Sequence, residues 1–342
     1  PIFGRWWEDP PLTGLNRLPA RASARSHRSI DEARSGSGAR WCDLNSDWWF
    51  QLLDSPLEAP AGWATRRPTR RAGWRPIEVP GNWTMQDTGD LPHYTNVVMP
   101  FPGDPPTVPE HNPTGLHRRR VTSDELRRAG RRRGDRVILH LGGAESATAI
   151  WMNGAFVGIA SDSRLASEFD VTDHLHDDDN DLAVMVVRWS AWTWIEDQDH
   201  WFHGGLARRV ALRTCGRTNL ADVSVSARLD RSLRHGDLRV SCRVDGDVAG
   251  WTVRTHLETL GGRRVAGTAS EAPVSMLDAS SHIAAQADGY RHPGPLARTS
   301  VSIDRPAAWS HEDPNRYRVM VSLVDPRGRV REVVPKIGRA HV

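Results

Sequence analysis

The second half of the chain is a series of short runs in which apolar and polar residues alternate: "ADVSVSARL" (221–229), "DLRVSCRVD" (237–245), "WTVRTHLE" (251–258), "RTSVSID" (298–304) and "YRVMVSLVD" (317–325). A period of two is that of a strand with one face in a core and the other in water. Gly and Asp fall between the runs, where turns need them. No stretch carries the 3.6-residue repeat of a long amphipathic helix, which a parallel α/β fold requires. The predicted class is therefore all-β. The first half agrees. "RVILHL" (136–141) alternates, and "DLAVMVVRW" (181–189) is nearly continuous, as in a buried sandwich strand. "TAIWMNGAFVG" (148–158) predicts a hairpin, because Asn153 and Gly154 both tolerate the positive φ of a type I′ turn. "SDELRRAG" (123–130) has room for one helical turn.

A length of 342 residues points to about two domains. Thirteen of the 15 Trp precede residue 216, so composition shifts there and a boundary near 215 is expected. The Pro-rich "MPFPGDPPTVPEHNPTG" (99–115) reads as a fixed, extended loop, since Pro removes ladder donors. Residues 262–297 form a long small-residue insertion within the second set of strands, and such loops are either disordered or functional.

Several function classes are disfavoured by composition. Arg clusters at "RRPTRR" (66–71), "HRRR" (117–120) and "RRAGRRR" (127–133) raise a nucleic-acid reading. No nucleic-acid motif accompanies them, the net charge is only +3, and the sole Lys is Lys336, so Arg-rich coding bias explains them better. Cys42, Cys215 and Cys242 have no CxxC spacing, which argues for a reducing compartment and against a zinc site. No apolar run approaches a membrane span, and the N-terminus lacks signal-peptide design. A cytoplasmic location and no membrane or nucleic-acid partner are expected.

One stretch stands apart: "WIEDQDHW" (194–201) places Glu196, Asp197 and Asp199 inside the most aromatic segment of the chain, among Trp189, Trp192, Trp194, Trp201 and Phe202. It reads either as a solvated acidic loop over core aromatics or as a polar recognition loop with aromatic walls.

Eight motifs follow one another in order: "WWEDPPLTGLNRLPARA" (6–22), "VPGNWTMQ" (79–86), "HYTNVVMPF" (93–101), "VPEHNPTGLHRR" (108–119), "WMNGAFVGIASDSRLASEFDVTDHL" (151–175), "LAVMVVRWS" (182–190), "EDQDHW" (196–201) and "DPNRYRVMVSLVD" (313–325). Together they resemble the amino-terminal third of the large bacterial β-galactosidases of glycoside hydrolase family 2. The resemblance implies an extended N-terminal arm (1–39), a jelly-roll, galactose-binding-like domain (40–215) and an immunoglobulin-like β-sandwich (216–335). It implies that Asp199 contacts galactosyl hydroxyls and ligates Na⁺, and that Asn96 also contacts the sugar. A carboxylate suits that task, because charge-assisted hydrogen bonds are roughly twice as strong as neutral ones. The expected partners are a β-galactoside substrate, the family's TIM barrel and further copies of the parent chain, a tetramer in the relatives. The insertion at 262–297 matches a loop that crosses the subunit interface in tetrameric relatives, with Met276, Tyr290 and His292 as anchors.

Departures from the family pattern carry expectations of their own. "GGLARRV" (204–210) lacks an aromatic and an acid, which puts the packing behind the acidic loop in doubt. Positions matching an outlying Mg²⁺ site include Trp6, Ser161 and Ala191, with only Asp9 a plausible ligand, so that site is expected to be absent. Mg²⁺ is expected only in the barrel. A retaining glycosidase needs two carboxyls about 5–5.5 Å apart; the family's Asn-Glu pair and His-Glu-His cluster do not occur here. No residue of this chain is therefore assigned a catalytic role. Nothing in the "EDQD" run sets one carboxyl's pKa apart from the others. At the end, "IGRAHV" (337–342) is the peptide a common sequencing adapter encodes in frame, so residues 336–342 are read as a non-native tail. The alternatives are a stand-alone carbohydrate-binding β-sandwich protein, or the same region of a β-glucuronidase or β-mannosidase relative; "EDQD" with "YTNV" favours the galactosidase.

Overall fold

The structure, a computed structural model, describes residues 4–22, 24–96, 98–196, 199–276 and 294–339. It divides into two compact units. The first comprises residues 1–20, 42–131 and 136–213; the second comprises 21–41, 132–135 and 214–342.

The first unit is built on a seven-stranded antiparallel sheet. Its strand order is Gly14–Leu15, Ala155–Ser161, Ala147–Met152, Asn180–Val187, Thr114–Val121, Trp48–Leu53, Arg75–Ile77. A four-stranded sheet runs Ser167–Asp170, Arg136–Leu141, Val210–Cys215, Trp41–Asp43. The strand Asn180–Val187 explains its own sequence. Leu182, Val184 and Val186 enter one core with Phe50, Leu139 and Phe169, while Met185 and Val187 enter another with Trp7, Leu116 and Trp189. A strand buried on both faces reads as a continuous apolar run. The Asn-Gly hairpin forms as predicted: Asn153 and Gly154 take φ of 53° and 78° between strands paired Met152 to Ala155. The expected helical turn is the helix Ser123–Arg128, started by a capping box in which Thr122 and Glu125 satisfy each other's backbone N–H.

The second unit has two four-stranded sheets. One runs Asn219–Leu229, His235–Asp245, Pro295–Asp304, Ser275–Met276; the other runs Ser270–Pro273, Thr252–Thr259, Tyr317–Val324, Val330–Gly338. Inward residues such as Val223, Val240, Cys242, Val253, Val321 and Leu323 form its core. All five alternating runs of the sequence are strands here. Cys42, Cys215 and Cys242 are all buried, and none forms a disulfide among the described residues.

The arm expected over residues 1–39 divides between the units. Gly14–Leu15 adds an edge strand to the first. Residues 21–41 belong to the second and are not wholly extended: Ser29 caps a helix Ile30–Ser35 that ends at Gly36, φ 71°. Ala33 of that helix packs on Met320 and Val333. Arg34 reaches the fully buried Glu258 at 2.5 Å, and His256 approaches the same carboxylate at 2.8 Å. At the other end, Lys336 and Ile337 pair with Val319 and Arg318, so part of the segment read as a tail continues a strand. In the long insertion, Met276 is exposed at the end of a short strand; Tyr290 and His292 lie outside the described residues.

Candidate functional site

A two-stranded antiparallel ribbon joins His93–Thr95 to His200–Phe202, with His200 opposite Thr95 and Trp201 opposite Tyr94. Its base is anchored by apolar and polar contacts. Phe202 and Phe101 both pack edge-on against the buried Trp189, at 5.6 and 5.3 Å. Arg188, next in the chain, donates to Asp90 (2.5 Å) and to the carbonyls of Leu91 and Phe202. Asp90 also accepts the indole N–H of the fully buried Trp83 at 2.7 Å. One carboxylate thus ties the segment entering the ribbon to the core. Gly204, just past the ribbon, lies against the same indole, and a Cβ there would overlap the ring. Behind it, Leu206 is fully buried and pairs with Gly81, so the departure at 204–210 keeps a filled core.

The ribbon brings together the two residues the sequence singled out. Asn96 and Asp199 flank its last pair, Thr95 and His200, although 103 positions separate them in the chain. Both are exposed. Tyr94, which was not singled out, joins them: its hydroxyl donates to Asp199 Oδ1 at 2.6 Å. That bond, with some help from burial, raises the phenol's pKa, while a bond from Asn96 pulls the other way. Tyr94 therefore stays a protonated donor to one oxygen of the exposed Asp199. Alternation was the available signal, because residues 94 and 96 point to the same side of a strand.

The other acids of the run separate from Asp199. Glu196 ends the short helix Thr193–Glu196 and turns back to Ser163, accepting its N–H at 2.8 Å and its hydroxyl at 2.6 Å. Burial raises the Glu196 pKa against those two bonds. That burial distinguishes Glu196, which the sequence alone did not, but both its oxygens are engaged. Glu196 is a latch holding the loop to Ser163. Asp197 lies outside the described residues.

The tryptophans divide likewise. Trp189 is core; Trp194 is half-buried, packs on Phe101 and donates to Thr107 O at 3.1 Å. Trp201 is 55 % exposed and leans on Tyr94 at 5.4 Å, which makes it the aromatic wall beside Asp199. On the ribbon's flank, Arg164 lies 3.2 Å from His200 Nε2 and pairs with the buried Glu145 at 3.1 Å; Glu145 also accepts the His203 N–H.

Of the positions matching the outlying Mg²⁺ site, only Asp9 carries a carboxylate. Trp6 and Ala191 are buried, Ser161 is a buried strand residue, and Asp9 is exposed. Among the described residues no group of three or more His, Cys, Asp or Glu is placed to hold a metal. The exposed Asp199 and Asn96 carry a carboxylate and an amide carbonyl, hard oxygens of the type that Na⁺ takes.

Comparison with known proteins places both units. Residues 42–215 match the sugar-binding domain of glycosyl hydrolases family 2, and residues 218–338 match a second domain of glycosyl hydrolases family 2. The β-galactosidase of Photobacterium profundum is 35% identical over 327 residues, which is 96% of this chain and 30% of that protein. That of Klebsiella pneumoniae is 35% identical over 326 residues, 93% of this chain and 29% of that protein. The chain thus spans about 30% of the length of these curated relatives. Among solved structures, a Bifidobacterium dentium β-glucuronidase complexed with coumarin-3-O-glucuronide has TM-score 0.64 at 17% identity, covering 95% of this chain and 50% of that one. A β-glycosidase from Bacteroides vulgatus has TM-score 0.60 at 16% identity, covering 87% and 33%. At such identities the likeness concerns the fold.

Proposed function

The chain belongs to glycosyl hydrolase family 2, and we propose that it is the sugar-binding and scaffold portion of a retaining β-galactosidase acting on terminal β-D-galactosides such as lactose. One observation carries this reading: a single ribbon gathers Asn96, Tyr94 and Asp199 at its open end, beside the exposed Trp201. The sequence relatives support the galactoside, since those at 35% identity are β-galactosidases.

Each group has a task that follows from its chemistry. A sugar hydroxyl is donor and acceptor at once. The Asp199 carboxylate accepts it, and an accepted bond to a charged group is strong. Tyr94 occupies one carboxylate oxygen and so fixes the direction of the other. The Asn96 amide offers a donor and an acceptor in one plane. Trp201 provides an apolar surface for the C–H face of the ring. Asp199, with the Asn96 carbonyl beside it, would hold Na⁺ here; the ion would supply a fixed positive charge toward a sugar oxygen. Bond cleavage needs two carboxyls about 5–5.5 Å apart. With Glu196 committed to Ser163, the catalytic pair is assigned to a TIM barrel outside these residues, and the chain alone is expected to be inactive.

The test is to express the complete reading frame and assay it on chromogenic β-galactoside, β-glucuronide and β-mannoside. Preference for the galactoside, lost on Asp199→Ala, is the expected result. A preference for the glucuronide would overturn the substrate assignment. Purified residues 1–335 should show no turnover; hydrolysis abolished by Glu196→Gln would place catalysis in this chain instead.

A further inference from the structure

The ribbon leaves one polar feature of the first unit without a role. On the sheet face opposite the Trp48 and Phe50 core, Trp49 pairs with Arg118 in one row, and Arg120 pairs with Asp181 two residues along the same strand. Asp47 precedes the first row in the left-handed region, φ 63°. With Thr65, Arg67 and Pro68 at the rim, these side chains line a cleft of about 440 Å³. Small-molecule sites span about 300–1,000 Å³.

Two properties of the cleft point to a ligand. The first is a buried donor. The Arg118 side chain is 2% exposed and gives one nitrogen to the carbonyls of Trp63 and Arg66. Its Nε–H is buried with no partner among the described residues, whereas buried polar groups are ordinarily paired. The second is charge balance. Arg67, Arg118 and Arg120 face Asp47, Asp179 and Asp181, so the formal charges cancel. Arg120 pairs with Asp179 at 2.8 Å and Arg118 lies 3.7 Å from Asp181, so a ligand would share these pairs, while Arg119 turns away to Glu125 at 2.6 and 3.0 Å. An anion entering the cleft meets three carboxylates, and a cation meets three guanidiniums. A neutral polyol uses both sets, each hydroxyl donating to a carboxylate and accepting from a guanidinium. The half-buried Trp49 adds an apolar surface for a sugar ring.

We propose that this cleft is a second saccharide-binding site, taking a neutral sugar ring or a short glycan, separate from the Asn96–Asp199 ribbon. The strand Asn180–Val187 measures the separation. Its first residues border the cleft, while Arg188 and Trp189, just past its end, hold the ribbon. Eight residues at about 3.3 Å each put roughly 25 Å between them. A site at that remove retains a polymer without occupying the recognition ribbon.

Affinity electrophoresis tests this on the 342-residue chain, through gels containing soluble galactan, xylan or dextran, with sulfated dextran as the anionic comparison. At least one neutral polymer is expected to retard the wild type and Asp199→Ala equally. Arg67 and Arg120 are exposed, so Arg67→Ala and Arg120→Ala should keep the fold, checked by circular dichroism. Each is expected to weaken retention by about fivefold or more, the effect of losing a charge-assisted bond. The proposal is overturned if no neutral polymer retards the wild type, if only sulfated dextran does, if Asp199→Ala abolishes retention, or if both Arg variants bind like the wild type.

Discussion

Acidification should weaken the first unit through one imidazole. His117 is 1% exposed, with Trp48, Phe50 and Trp83 around it at ring-centroid distances of 6.3, 5.0 and 6.1 Å. Burial pushes its pKa down from 6.5 to about 4. Between those values the unfolded chain binds a proton that the folded one resists, so stability falls as pH falls through the window. One pKa unit is about 1.4 kcal/mol, so the whole gap is worth about 3 kcal/mol and the interval from pH 7 to pH 5 about 2 kcal/mol. Urea unfolding followed by Trp fluorescence suits the assay, because 12 of the 15 Trp belong to this unit. His117→Phe keeps a ring in the core and removes the titration. His203, also pushed down by burial, titrates in the same sense in both proteins and cancels in the comparison. At Glu125 burial pushes the pKa up, but its bonds to Arg119 and Thr122 hold it below the usual range, so it stays ionised at pH 5. The wild type should lose about 2 kcal/mol more than His117→Phe between pH 7 and pH 5. Equal losses would refute the reasoning, because they would show that the imidazole protonates as readily folded as unfolded.

Other substitutions test the site and its supports. In the complete enzyme, Asp199→Ala should lower kcat/KM by roughly ten- to a hundredfold, since a bond to a charged group contributes about 1.5–3 kcal/mol; unchanged kinetics and sodium dependence would make Asp199 structural. Tyr94→Phe keeps the carboxylate and removes its orienting donor, so a smaller loss, about three- to tenfold, is expected in the same assay. Arg34→Ala leaves the fully buried Glu258 with His256 alone, and thermal unfolding should show the second unit destabilised by about 2–4 kcal/mol. Gly204→Ala drives a methyl into Trp83 and should cost about 1–3 kcal/mol in urea unfolding, because a fully buried indole has no room to yield.

The strands were legible wherever local physics decides them. Alternation marked the five strands of the second unit, and Asn153-Gly154 marked the hairpin, because period and positive φ are properties of neighbouring residues. The double-sided burial of Asn180–Val187 was likewise written in its apolar run. What depended on distant partners was not legible. Tyr94 was passed over, since an exposed tyrosine has no local signature; only the pairing of 93–95 with 200–202 sets it on Asp199. Glu196 sat in the same acidic run as Asp199, yet Ser163, 33 positions upstream, takes it out of the site. The Arg-rich stretches looked uniform in sequence. In the structure Arg119 closes on Glu125, Arg118 lies beneath Trp63 and Arg66, and Arg120 pairs with Asp179 at the surface, a sorting imposed by strand alternation and by residues far along the chain.

The second unit is not one stretch of sequence. Residues 21–41 belong to it, yet residues 42–131 of the first unit intervene before it resumes. A cassette of residues 218–338, moved by recombination or by a cloning decision, would look like a whole domain. It would carry Glu258 without Arg34, and it would uncover Met320 and Val333, which Ala33 packs against. A carboxylate stranded in an apolar interior either takes up a proton or opens the structure around it. The heritable module is therefore discontinuous, and swaps between relatives should preserve the unit only when the segment before residue 42 and the strands after residue 214 come from the same parent.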